Sequence, residues 1–143
     1  MRGSLLHGAR YSIRGYFGAL YTSLSIETAR REIARYFTVL PIGGFVEASI
    51  GLRLSRVVDL TNKRLLQKAG IPWQQLIGPS YSLSQEIGLR AWEEGVEALL
   101  IPSAADAEKQ NLAIFLDNQY PKWRIELTDL YEVSGEQLSS ATR

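Results

Sequence analysis

Residues 16–37 read Tyr-Phe-Gly-Ala-Leu-Tyr-Thr-Ser-Leu-Ser-Ile-Glu-Thr-Ala-Arg-Arg-Glu-Ile-Ala-Arg-Tyr-Phe, and the change of pattern halfway along sets the architecture. Residues 16–22 are apolar and aromatic, too few for a helix and bounded by glycine and serine, which predicts a buried strand. Ser25 then offers a helix cap, and Glu27 places a carboxylate in the first turn, where it suits the helix dipole. From Ile26 the apolar residues Ile26, Ala29, Ile33 and Phe37 recur at helical spacing, with Arg30, Arg31 and Arg35 on the other side. That is the pattern of an amphipathic helix ending before Pro41.

Working outward, Gly43 and Gly44 punctuate the chain before Val46, Ala48, Ile50, Leu52 and Leu54 alternate with polar or small residues, the clearest strand of the sequence. Val57 and Val58 are adjacent, so the phase slips and a bulge or bend is expected before Asp59. Thr61 can cap a short helix over 62–69, which Gly70 and Pro72 end. Leu83, Ile87 and Ala91 mark a helix over 81–94 closed by Gly95, despite Gly88 inside it. Apolar runs at 96–101 and 112–116 and an alternating run at 123–127 read as strands. Residues 1–16 show no period and read as an irregular lead-in, and a polar, serine-rich tail from Ser134 is expected to fray. The order lacks the regular βα alternation of a doubly wound parallel sheet, so the expected class is α+β, a single domain over 1–133 followed by a flexible tail at 134–143.

Composition narrows the chemistry. The chain has 143 residues, 45% of them hydrophobic and 22% charged, as in an ordinary single-domain globular protein. Sixteen Lys and Arg against fifteen Asp and Glu leave a net charge of +1, without the electrostatic footprint of a nucleic-acid or anionic-membrane surface. With no cysteine there is no disulfide and no thiolate nucleophile, and with one histidine as well zinc chemistry is nearly excluded. No secretory leader or run long enough to span a bilayer is present, so a cytoplasmic protein is expected. Phosphate-loop, dinucleotide-turn, nucleophile-elbow and His-Glu-x-x-His motifs are all missing. His7 has no acidic neighbour to orient it and reads as solvated.

What remains is a polar set, Arg10, Tyr21 and Glu32, evenly spaced at eleven residues. Glu32 falls beside the apolar stripe of its helix, so its carboxylate can reach along the rim of the core into a cleft, with Tyr21 at the end of the preceding strand as one wall. Taken singly, each residue also has a plain structural reading: a solvated loop cation, a core aromatic, a helix-flank charge.

The segments Gly8-Ala9-Arg10-Tyr11-Ser12, Gly18-Ala19-Leu20-Tyr21-Thr22-Ser23 and Thr28-Ala29-x-x-Glu32 together resemble the RES domain family, toxins of Xre–RES toxin–antitoxin systems. The resemblance continues through Val57-Val58-Asp59-Leu60-Thr61, Ile101-Pro102-Ser103-Ala104 and Gln110-Asn111-Leu112-Ala113-Ile114-Phe115, covering about residues 3–133. It implies an ADP-ribosyltransferase-like fold of the diphtheria-toxin type, a split antiparallel sheet core with flanking helices, and NAD as substrate without a metal. By that analogy Arg10 would hold the phosphate or ribose side of NAD, with Tyr11 in the same motif also in the binding set. Tyr21 would stack on nicotinamide, Glu32 would be the catalytic carboxylate, and Ser103 and, more weakly, Asn111 would line the pocket.

The activity so implied is cleavage of the nicotinamide–ribose bond by hydrolysis or phosphorolysis, arresting bacterial growth. The alternatives are mono-ADP-ribosylation of a protein and a degenerate domain kept as an antitoxin-binding partner. The resemblance also implies a cognate Xre-type antitoxin with a helix-turn-helix, whose tail would block the cleft and which would make any DNA contact, in a homodimer or a toxin–antitoxin hetero-oligomer. Two departures accompany it. Family members carry further residues upstream, including a strand supplying part of the NAD pocket, whose loss would impair NAD binding. Ser12 stands where the family more often has asparagine.

Overall fold

The computed structural model describes residues 2–37 and 45–133, giving the order α1 (Arg2–His7), β1 (Leu20–Ser23), α2 (Ile26–Phe37), β2 (Phe45–Arg53), β3 (Val57–Asp59), α3 (Lys63–Lys68), α4 (Trp73–Ile77), α5 (Ser82–Glu93), β4 (Ala98–Pro102), β5 (Gln110–Ile114) and β6 (Arg124–Val133). Among these residues the strands form two sheets, β1-β5-β4-β3 and β2-β6. All pairings are antiparallel except β3 with β4. This is the α+β class with the split sheet and flanking helices that was expected.

The alternation of β4 and β5 sorts the core into two layers, because successive side chains in a strand point to opposite faces. Leu99, Ile101 and Ala113 face one way, onto Leu66, Leu76, Leu83, Ile87 and Ala91 of α3, α4 and α5. Ala98, Leu100, Leu112 and Ile114 face the other, onto Ile50, Leu52 and Ile125 of the β2-β6 pair. The larger sheet is thus covered by helices on one face and by the smaller sheet on the other. At the edge of the helical face lies Phe17, stacked on Trp92 with ring centroids 5.0 Å apart and meeting Phe115 edge-on at 5.5 Å.

Several sequence expectations change in the fold. The lead-in contains α1, a single helical stretch with Leu6 exposed, so it has no buried stripe to announce it. It is held instead by Ser4, whose hydroxyl donates to the Ala19 carbonyl and accepts from the Ala19 N–H. The first strand is shorter than 16–22, because Phe17 serves the aromatic core from irregular backbone. The phase slip at 55–58 is a crossover between the two sheets: β2 ends at Arg53, and β3 joins β4 of the other sheet. Glu97, 0% exposed, holds that crossover by accepting the Ser55 and Arg56 N–H groups at 2.5 and 2.7 Å. The bulge lies at Ser49/Ile50, and the final strand runs on to Val133. Asn62, rather than Thr61, caps α3, accepting from the Leu65 N–H at 3.2 Å. Helix α4 has no counterpart in the expectations, since Trp73–Ile77 is too short to show a period. The expected helix end before Pro41, the glycine pair at 43–44 and the tail from Ser134 lie outside the described residues.

Candidate functional site

Helix α2 starts where expected: the Ser25 hydroxyl accepts the Thr28 N–H at 3.2 Å and lies 2.8 Å from the Thr28 hydroxyl. Its inner face is shifted round from the expected apolar stripe toward the Glu32 edge. Ile26 and Ile33 are 48% and 41% exposed, whereas Thr28 is 2% exposed. Thr28 and Glu32, one turn apart, form the inner face, and Glu32 is half-buried. Part of the apolar stripe, Ile26 and Ile33, thus faces outward, while the Thr28–Glu32 edge meets the sheet.

Glu32 lies over the ends of β4 and β5. Its Oε1 accepts the Ser103 hydroxyl at 2.5 Å and the Asn111 Nδ2 at 2.9 Å. Both donors are aimed by their own partners. Ser103 Oγ accepts the N–H groups of Ala105 and Asp106 at 3.1 and 3.3 Å, so its proton is left to point at the carboxylate. The Asn111 Oδ1 accepts the Ser23 hydroxyl at 2.7 Å, which turns the amide nitrogen toward Glu32. Ser23 and Asn111 are cross-strand partners, as are Asn111 and Ile101, so Ser23, Asn111 and, two residues beyond Ile101, Ser103 share the helical face of the sheet. Arg31 ties the helix to the Ser103 loop by an ion pair with Asp106 at 3.0 Å and also pairs with Glu27 at 2.8 Å.

Arg10 and Tyr11 sit at the tip of a tight turn closed by reciprocal backbone bonds between Ala9 and Ser12 at 3.0 and 3.2 Å. Gly8 enters it with φ +71°, a conformation that favours glycine. Gln85 of α5 braces the turn, its Nε2 donating to the Ala9 carbonyl at 3.1 Å. Arg10 Nη1 donates to the carbonyls of Leu76 and Gly78 at 3.1 and 2.8 Å, and Cζ lies 4.4 Å from the centre of the Tyr81 ring. Among the described residues these contacts use only one guanidinium nitrogen. The Nε–Nη2 edge, one of the two that can grip a phosphate or carboxylate with two parallel bonds, has no protein partner among the described residues.

Tyr21 joins the two groups. Its hydroxyl accepts the Tyr11 N–H at 2.8 Å. It lies two residues before Ser23 on the same face of β1, a separation of about 7 Å along the strand. Burial pushes the Tyr11 phenol up to about 12 and raises Tyr21 also, the Tyr11 N–H partly offsetting the latter. Both rings are therefore neutral in the fold at neutral pH. The linked prediction is a loss of stability between pH 10 and about 12, where the unfolded chain ionises its tyrosines and the folded chain resists. Chemical denaturation across that range checks it, and a flat profile contradicts the burial of Tyr11.

The sequence-derived residues thus fall into two neighbouring groups, Glu32 with Ser103 and Asn111, and Arg10 with Tyr11 and Tyr21. Ser12 is buried beneath the arginine turn, and His7 is exposed at the end of α1. Tyr81, Ser23 and Gln85 were missed. Ser23 and Gln85 are ordinary polar residues of a strand and a helix, and Tyr81 follows a Gly-Pro-Ser loop that shows no period. Two small grooves flank residues 108–110, one of about 150 Å³ beside Lys63 and Trp73, the other of about 190 Å³ beside Ser25 and Thr28. Neither is lined by Arg10, Tyr21 or Glu32.

The split sheet with flanking helices is an ADP-ribosyltransferase-like fold. The family model described as RES domain matches residues 1–127, and the chain belongs to that family. Among solved structures, one similar to it is the M. tuberculosis MbcT–MbcA toxin–antitoxin complex, with a TM-score of 0.82 and 18% identity, covering 97% of this chain and 79% of the other. At that identity the likeness is one of fold. No curated protein matches the sequence. Among the described residues no helix is long and apolar enough to cross a membrane.

Proposed function

We propose that this chain cleaves the nicotinamide–ribose bond of NAD by hydrolysis or phosphorolysis and acts as a growth-arresting bacterial toxin of the cytoplasm. The observation that carries the reading is a half-buried carboxylate with two oriented donors, linked through Tyr21 and Ser23 of β1 to the turn that carries a guanidinium whose Nε–Nη2 edge has no partner among the described residues. NAD offers a partner to each. Its pyrophosphate fits the planar fork of Arg10. Nicotinamide is a pyridinium that departs neutral, so no general acid is needed, unlike ordinary glycosidases with their two carboxyl groups. Glu32 is left to hold the ribose and stabilise the positive charge that develops as the sugar becomes oxocarbenium-like, an electrostatic effect that grows where water is excluded. Tyr21 supplies an aromatic face suited to a flat cation, and Ser103 and Asn111 keep the carboxylate in place.

A cognate antitoxin belongs to the same proposal. A toxin and antitoxin appear together in the structure of similar fold, and the near-neutral charge of this chain suits an assembly in which an Xre-type partner contacts DNA.

Incubation of the purified protein with labelled NAD tests the reading. Free nicotinamide without labelled protein is expected, and dependence on added phosphate separates phosphorolysis from hydrolysis. Labelled protein would make the enzyme a transferase, and intact NAD would leave a non-catalytic, antitoxin-binding domain. Arg10→Ala is expected to weaken NAD binding by about 10- to 100-fold, the worth of charge-assisted phosphate bonds. Unchanged affinity in a calorimetric titration would remove Arg10 from the site.

A further inference from the structure

We propose that Tyr81 is a positioning residue for the phosphate contact, acting through Arg10; this rests on the reading of Arg10 as the anchor of a dinucleotide. Arg10 is half-buried and makes no ion pair among the described residues, so its charge is balanced by carbonyl dipoles and an aromatic face. Both carbonyl bonds fall on Nη1, one from Leu76 within α4 and one from Gly78 just after it. Bonds to a single nitrogen locate the guanidinium but leave its plane free to tilt. The Tyr81 ring, with Cζ 4.4 Å from its centre, restrains that tilt, and among the described residues no protein group bonds the Nε–Nη2 edge.

The ring has no other evident role. It is 42% exposed, and although Tyr81 occupies the cap position of α5, its side chain makes no capping bond. Gly78 and Tyr81 bracket one short loop, so the same loop bonds the guanidinium at Nη1 and sets an aromatic ring against Cζ. The ligand class this prepares for is a phosphate or pyrophosphate diester, read in two parallel bonds by a guanidinium whose plane is set beforehand. Preorganisation of this kind appears in binding more than in turnover.

The test compares Tyr81→Leu with Tyr81→Phe in the full chain, reading nicotinamide release from NAD and calorimetric binding of ADP-ribose and of inorganic pyrophosphate. Tyr81→Leu is expected to raise KM for NAD and Kd for both anions about fivefold, with a smaller change in kcat. Tyr81→Phe, which keeps the ring, is expected to recover affinity to within about twofold of wild type. Thermal melting of both variants shows that the fold is retained. Wild-type affinity in Tyr81→Leu overturns the proposal, and so does a Tyr81→Phe variant as weak as Tyr81→Leu, which would assign the effect to the hydroxyl. If the wild type binds pyrophosphate without consuming NAD, the enzymatic reading fails and the positioning role is judged on pyrophosphate alone. A wild type that binds neither anion overturns both.

Discussion

Glu32→Gln is expected to lower nicotinamide release from NAD by about 10³-fold while leaving the melting midpoint within a few degrees of wild type. The glutamine carbonyl can take the place of Oε1 and still accept from Ser103 and Asn111, so the network that spans α2, β5 and the Ser103 loop survives. What disappears is the negative charge, the one feature the proposed mechanism requires of this residue. Glu32→Ala should abolish activity equally and also release the two donors. Removing the donors singly separates placement from charge: Ser103→Ala and Asn111→Ala each delete one bond to an otherwise intact carboxylate, and each is expected to reduce turnover by about tenfold. In cells the glutamine variant should be expressed without arresting growth. Full NAD consumption by Glu32→Gln would end the assignment of this carboxylate to catalysis, whatever the fold.

The distinction between charge and placement also explains which parts of the site could be read from the chain. Strand β2 announced itself by the alternation from Val46 to Leu54, although its burial keeps no single phase: Ile50, Leu52 and Leu54 pack on the core, while Val46 and Ala48, before the bulge at Ser49/Ile50, are exposed. The Ser25 cap and the Gly95 helix end are local signals and appear where expected. In helix α2 amphipathicity does not mark the buried side, because two residues of the apolar stripe lie outward. Ile26 and Ile33 are exposed, and Thr28 and Glu32 point inward. A periodic pattern gives the period of an element and not the identity of its inner face.

Glu32, Ser103 and Asn111 were legible through family motifs, but their contact was not, since the Ser103 and Asn111 bonds to Glu32 join residues 71 and 79 positions apart. Tyr81 carried no signal of any kind, because an exposed loop aromatic gains meaning only from the cation it covers. Glu97 is a similar case: a fully buried carboxylate whose purpose, holding the crossover between the two sheets, exists only in three dimensions.

Gly88→Ala should produce the largest loss of stability. Helix propensity alone argues for the opposite sign, since alanine in a helix interior is favoured over glycine by about 1 kcal/mol. Space decides against it. A Cβ at residue 88 would stand 2.2 Å from the Tyr11 carbonyl oxygen and 2.8 Å from its carbon, and both are backbone atoms that cannot rotate away. Ser84 and Ala91, one turn to either side, are also small and buried, so α5 presents a narrow strip against which the arginine turn is laid directly. To admit the methyl group either α5 or the turn must shift by more than a side-chain adjustment, and overpacking of this kind costs about 1–3 kcal/mol or more.

The same shift would carry the Tyr11 N–H away from the Tyr21 hydroxyl and Arg10 Nη1 away from the carbonyls of Leu76 and Gly78. Gly88→Ala is therefore expected to lower the melting midpoint by about 5–10 °C and, in the fraction that remains folded, to raise KM for NAD together with that loss. Gly51→Ala is the matched control, because a Cβ there meets Thr128 Cγ2 at an ordinary 3.5 Å and lies far from the arginine turn in the sheet pairing. A Gly88→Ala protein more stable than wild type would mean that propensity outweighs the contact. The close seating of α5 on the Arg10 turn would then no longer explain how Arg10, the proposed phosphate anchor, is held.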